Sequence, residues 1–286
     1  MISEQALRLL RRSARLPGAR RLTRVKLLMR FSFALRAALV RERLEFAWLE
    51  LARAEPVLRT HHLRDTGVGF AVRHQTADIL ALDELISQRE YEIPREVRNL
   101  LTRQRPLRVL DLGANIGLFG AWVIGQFPEV QITSVEADPD NARVLAQTIA
   151  ANPGTRWKLI EAAASTRLGT VRFVSGKQTT SHLAGPGEDG IEIAAVDVFE
   201  LTGDIDLLKI DIEGGEWALL EDRRFAELRP TAVVLEYHPR GPQAVDAETA
   251  AQDHLRGSGF EIASVRRHPE HGTGLVWAVT DVATER

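Results

Sequence analysis

From Arg108 onward the chain alternates short apolar runs with amphipathic ones, and this regular order restricts the fold more than any other feature. Arg108 to Ala114 reads as a strand, Leu118 to Phe127 as a helix, Gln131 to Ala137 as a strand, Pro139 to Ala151 as a helix and Trp157 to Ala163 as a strand. Parallel neighbours need a crossover and a helix is the usual one, so βαβαβ predicts the first half of a doubly wound parallel α/β sheet. A predicted hairpin, Thr170 to Val174 with Ile191 to Val196, precedes a strand at Asp206 to Ile212, a helix from Gly215 and a strand at Ala232 to Tyr237. A helix at Ala244 to Arg256 and two apolar runs, Phe260 to Arg266 and Gly274 to Thr280, then end the chain on a strand pair. Such an ending predicts an antiparallel edge rather than another crossover unit.

The segment before this alternation has a different character. Residues 2 to 15 read as a short amphipathic helix stopped by Pro17-Gly18, and Arg20 to Ala54 as a longer one stopped by Pro56. Its apolar positions, Leu28, Phe31, Leu35 and Leu39 and then Val40, Leu44, Trp48 and Leu51, form a stripe that the catalytic body, a second subunit or a membrane surface must cover. Residues 1 to 60 hold 14 Lys/Arg against 5 Asp/Glu, so a chain with net charge −2 carries −11 beyond them. That asymmetry suits an anionic surface, a homodimer partner or the acidic body, but not a nucleic-acid enzyme, whose basic stripe belongs around its active site. Arginines interrupt every apolar window, so neither a membrane span nor a standard signal peptide is expected, and a cytoplasmic location is. The absence of cysteine excludes disulfides, thiolate metal sites and a cysteine nucleophile. Residues 57 to 105 are mixed, with a Gly67-Val68-Gly69 turn, helical patterns at Asp78 to Arg89 and Pro94 to Arg103, and histidines 61, 62 and 74 that read as surface or pocket residues. The expected division is a basic helical extension at 1–56, an accessory segment at 57–105 and the main domain at 106–286.

Two runs carry chemistry. In Val109-Leu110-Asp111-Leu112-Gly113-Ala114-Asn115-Ile116-Gly117 the glycines let backbone approach a ligand, and the next helix presents free N–H groups. The Gly-x-x-x-Gly spacing is one glycine short of the dinucleotide fingerprint, and the Asp111 carboxylate would repel a pyrophosphate, so a cationic ligand is expected. Glu136 ends the second strand 23 residues after Gly113, the interval at which an acid reaches ribose hydroxyls. Ala137, Ala162 and Ala163 lie where an adenine would meet backbone. In the second run, Asp206 to Glu216, alternation places Lys209, Asp211 and Glu213 on one face of a central strand. Three charges there require one another or a ligand.

The motifs Asp111 to Gly117, Val135-Glu136-Ala137-Asp138-Pro139, Leu208-Lys209-Ile210-Asp211-Ile212-Glu213-Gly214 with Glu216, and Leu235-Glu236-Tyr237-His238 together resemble the FkbM family of class I methyltransferases. The resemblance spans about residues 105 to 240. It implies a Rossmann-like sheet that is mostly parallel with an antiparallel last strand, S-adenosylmethionine as cofactor, and O-methylation of a small-molecule hydroxyl such as a macrolide, sugar or other secondary metabolite. The basic N-terminal helix lies outside it. Methylating an alcohol calls for a group that takes its proton, and His182, His238 and Asp211 are the candidates. Asp211 and Glu213 could hold Mg²⁺, but Lys209 on the same face opposes it, so no metal is expected. The rival readings are a nicotinamide oxidoreductase, disfavoured by the missing glycine and Asp111, and a non-catalytic Rossmann core acting through its basic helix on a membrane or acidic partner.

Overall fold

The structure, a computed structural model, describes residues 36–52, 55–127, 129–174, 182–183, 189–239, 246–268 and 272–280. Along the chain run α1 (Arg43–Ala52), β1 (Val57–His62), β2 (Gly69–His74), α2 (Asp78–Ile86), α3 (Arg95–Leu101), β3 (Leu107–Leu112), α4 (Leu118–Gln126), β4 (Val130–Glu136), α5 (Pro139–Ala150), β5 (Arg156–Glu161) and β6 (Ala163–Ser165). They are followed by β7 (Gly169–Val174), β8 (His182–Leu183), β9 (Ile191–Asp197), β10 (Leu207–Ile210), α6 (Glu216–Leu220), β11 (Ala232–Tyr237), α7 (Ala247–Gly257), β12 (Phe260–His268) and β13 (Thr273–Thr280).

Seven strands form the main sheet in the order β12-β13-β11-β10-β3-β4-β5. The five from β11 to β5 are parallel, while β13 runs antiparallel to both β11 and β12. This is the Rossmann-like sheet with an antiparallel ending that the sequence predicts. Strand alternation divides its apolar residues between two faces. Leu107, Val109, Ile132 and Val234 join one buried cluster, and Leu110, Leu112, Val135, Val233 and Leu235 the other. The first cluster also takes in Phe46, Phe70, Val72, Leu82 and Leu101, so the accessory segment shares its core with the sheet. α4 is apolar on nearly all sides, as a helix between sheet and accessory layer must be. α5 starts on Pro139 with the Asp138 carboxylate accepting from the N–H groups of Asp140 and Asn141, which anchors its N-terminus at the end of β4.

Three sequence expectations are corrected. The third parallel strand stops at Glu161, where the Ala162 N–H turns to the Glu136 carbonyl, and Ala163–Ser165 joins a separate sheet in the order β6-β9-β7-β8. The helix expected over Arg20 to Ala54 does not run unbroken through its described part. The backbone around Val40 is diverted to β1 and its turn: Arg41 N–H donates to the His62 carbonyl, Arg64 N–H to the Leu39 carbonyl, and the Glu42 carboxylate accepts from His62 N–H. Helix resumes at Arg43, and Phe46 and Leu49 face the body, whereas Leu44 (89% exposed), Trp48 (63%) and Leu51 (44%) remain open. Third, His61 and His74, expected at the surface or in a pocket, are fully buried in the hairpin: their Nε2 atoms lie 2.8 Å apart, and His74 Nδ1 meets the buried Glu50 carboxylate at 2.5 Å. The expected helix at 2–15 and the first half of the longer one lie outside the described residues. Among the described residues, no helix is long and apolar enough to cross a membrane.

Candidate functional site

The parallel strands deliver their C-terminal ends to one edge, and β3, β4, β10 and β11 bring the predicted residues together there. The turn after β3 is left-handed at Gly113 (φ +75°) and Gly117 (φ +86°), and also at Asn115 (φ +52°). A Cβ on Gly113 would collide with the Asp211 carbonyl of the adjacent strand, so only glycine fits where β3 and β10 approach. The Glu136 carboxylate accepts from Asn115 N–H at 2.6 Å and Asp138 N–H at 2.9 Å, tying the turn to β4. Burial pushes this acid up to about 7. Each of its oxygens takes one backbone bond and keeps acceptor capacity for a second. Ala137 is half-buried beside it, and Ala162 and Ala163 are buried. The side-chain oxygen of Asn115 is buried with no hydrogen-bond partner among the described residues.

Beneath the turn lies a buried ion network. Lys209 Nζ donates to the Gly113 carbonyl at 2.7 Å and pairs with Asp111 Oδ1 at 3.4 Å and Asp211 Oδ2 at 3.2 Å. Burial opposes its charge, but Asp211 and Asp111 outweigh burial and raise the ammonium above its ordinary range. Asp111 is fully buried, and burial pushes its carboxyl up despite Lys209. It therefore faces Lys209 from below the turn, where the sequence placed it at the mouth of the strand. Lys209 needs no ligand to be compensated, whereas the Asp211 side chain keeps 24% of its surface open.

Past Ile210 the strand ends, and Glu213 turns left-handed at φ +52°. It thus reaches the site from a turn and not by strand alternation. Its Oε2 lies 3.5 Å from His238 Nε2, and burial and Asp211 push Glu213 up to about 7. The imidazole is held from its other side by Glu216, fully buried, at 3.2 Å from Nδ1. Burial would lower His238, but Glu216, Asp211 and Glu213 prevail and push it up to about 9. At neutral pH the ring is a cation, which removes it from the candidates for a base. Asp211, Glu213 and His238 bring donor atoms within 4.8 Å of one another. His182 pairs through its backbone with Val174 across β7 and β8, and its side chain lies outside the described residues.

Sequence reasoning missed Tyr91, in the accessory segment, whose hydroxyl stands 3.2 Å from Asp211 Oδ2 and 2.9 Å from Glu236 Oε2. Glu236, at the end of β11, was quoted within a motif without a role. Glu216 also accepts from Gly214 N–H and His238 N–H and so binds the turn to β11. Its place two residues after Gly214, at a helix start, gave a signal that fits a cap equally well.

The family described as Methyltransferase FkbM domain matches residues 111–262. No curated protein matches the chain. Among solved structures, a methyltransferase FkbM from Methylobacillus flagellatus is 17% identical over 71% of this chain and 53% of its own, with a TM-score of 0.45. The chain thus spans about half the length of that relative. A precorrin-6y C5,15-methyltransferase from Geobacter metallireducens is 18% identical over 66% of this chain and 88% of its own, with a TM-score of 0.39. A fibrillarin from Aeropyrum pernix with natively bound S-adenosyl-L-methionine is 15% identical over 79% of this chain and 100% of its own, with a TM-score of 0.42.

Proposed function

The chain belongs to the FkbM methyltransferase domain family, and from that premise we propose that it transfers a methyl group from S-adenosylmethionine to a hydroxyl oxygen of a small molecule. The residues at the strand ends fit that cofactor. Glu136 offers two oxygens to a vicinal ribose diol, Gly113 leaves backbone open where a side chain would intrude, and Asn115 holds a buried oxygen that lacks a donor among the described residues. When bound, S-adenosylmethionine supplies a methyl group on a cationic sulfur, ready for in-line displacement by a nucleophile.

The chain's own task is to align the acceptor and receive its proton. The observation that carries the reading is the placement of Asp211: Lys209 and Tyr91 both address Oδ2, and the side chain remains partly open at the end of a central strand. Asp211 orients the acceptor hydroxyl and takes its proton as the oxygen is methylated, which is general base assistance. Glu213, near neutral and about half exposed, lies beside it to pass the proton to solvent. His238 stays charged and balances these acids.

Incubating the protein with methyl-labelled S-adenosylmethionine and a metabolite extract, then identifying the labelled product by NMR, tests the reading. A labelled methyl ether supports it. Label found only on nitrogen or carbon contradicts the hydroxyl assignment, and no transfer to any extract contradicts the activity.

A further inference from the structure

A single phenolic hydrogen stands between two carboxyl groups in this network. Tyr91 Oη is 2.9 Å from Glu236 Oε2 and 3.2 Å from Asp211 Oδ2, and a hydroxyl donates one hydrogen bond at a time. The ring is buried with its edge toward Phe119, centroids 5.2 Å apart. Burial, followed by the charge of Asp211, raises the phenol well above its ordinary range, so the hydrogen stays on oxygen. One hydrogen cannot serve two bare carboxylates at once, so the carboxyl that lacks another donor is the better seat for a second proton. Asp211 is the poorer candidate, because Lys209 lies 3.2 Å from the same Oδ2 and its side chain remains partly open. Around Glu236 the charged groups are Asp211, Lys209 and His238, and burial with the Asp211 charge outweighs the two cations and Tyr91, pushing the acid up to about 8.

We propose that Glu236 stands as a neutral carboxylic acid that donates to Tyr91 Oη while Tyr91 donates to Asp211 Oδ2, so that the pair are positioning residues for Asp211. Oδ2 is then held by Tyr91 and Lys209 together, and Oδ1 is left for the acceptor. The accessory segment thereby contributes to the reaction centre through Tyr91. The role given to Asp211 rests on the proposed function, whereas the proton on Glu236 does not.

The test compares Glu236→Gln, Glu236→Ala and Tyr91→Phe with the wild-type chain. A glutamine amide donates where the carboxylic acid does, so E236Q should rescue what E236A loses. With the extract as acceptor source, E236A and Y91F are expected to lower turnover by roughly tenfold to a hundredfold, and E236Q to return within about threefold of wild type, all with unchanged cofactor affinity. Thermal unfolding against pH needs no acceptor. An acid near 8 in the folded chain and near 4.5 unfolded makes the wild type lose stability as pH rises between those values, and E236Q should flatten that slope. An E236Q variant as impaired as E236A, or one that keeps the wild-type unfolding slope, overturns the proposal. Should the wild type methylate nothing in the extract, the hydroxyl reading fails while the unfolding slopes still decide the proton on Glu236.

Discussion

The strand-end site and the β1–β2 hairpin both bury ionisable groups, and they treat them in opposite ways. In the hairpin, His61 and His74 sit nitrogen to nitrogen, Glu50 holds the far side of His74, and Phe46 packs edge-on against both rings. Burial, and then the neighbouring His74, push His61 down to about 4, so at neutral pH it is uncharged. At the strand ends, carboxylates crowd beside two cations, and Glu213, Glu236 and His238 are all raised, to about 7, 8 and 9. Burial alone therefore does not mark a site. What marks it is like charge gathered beside a partly open carboxylate, where proton affinities approach the working pH.

The largest effect is expected for Gly113→Ala, which forces a side chain into left-handed backbone and against the Asp211 carbonyl. A stability loss of about 3 to 4 kcal/mol and loss of cofactor binding should appear in denaturant titration and calorimetry. Acid should act next, on the hairpin. A histidine near 4 when folded and near 6.5 when unfolded binds fewer protons in the native state, so stability falls as pH drops below 6.5 and the loss is complete near 4. The cost is about 3 kcal/mol, and His61→Phe should flatten this slope without altering methyl transfer; a change in turnover would place the hairpin in the site. Glu136→Ala should weaken S-adenosylmethionine binding by roughly tenfold to a hundredfold, about 1.5 to 3 kcal/mol for lost charged hydrogen bonds. An unaltered dissociation constant in a folded variant would remove Glu136 from the cofactor site. The smallest effect belongs to Trp48→Glu on the open face of α1, within about 0.5 kcal/mol of wild-type stability. Loss of liposome binding in that variant would show the exposed stripe to be a membrane contact.

The parallel core was legible because its strands are apolar on both faces and separated by periodic helices. β11 spans the predicted Ala232 to Tyr237, and β3, β4 and α5 agree to within two residues at each end. The long N-terminal helix was not legible. Spacing of apolar residues reports a face, but cannot show that β1 captures the backbone at Arg41 and Arg64. It also selected Leu44, Trp48 and Leu51 as the face to be covered, when Phe46 and Leu49 are the residues that pack. In the site, Gly113, Glu136, Lys209 and Asp211 were visible from turn chemistry and charge on a central strand. Asp111 was identified but placed too near the opening, since sequence does not show how deeply a strand residue sits. Tyr91 left no local trace: 120 residues separate it from Asp211, and only the packing of the accessory layer on the sheet joins them.

The role proposed for Asp211 is to handle the acceptor, beyond its place in the buried ion network. Asp211→Asn keeps the size of the side chain and removes the charge. Measuring methyl transfer, cofactor affinity and melting temperature on one preparation of this variant separates the two roles. Turnover is expected to fall by about a hundredfold or more, the scale of acid–base assistance, with cofactor affinity nearly unchanged and a lower melting temperature as Lys209 loses one of its two acids. Near-normal turnover in a variant that binds the cofactor but melts earlier would contradict that role.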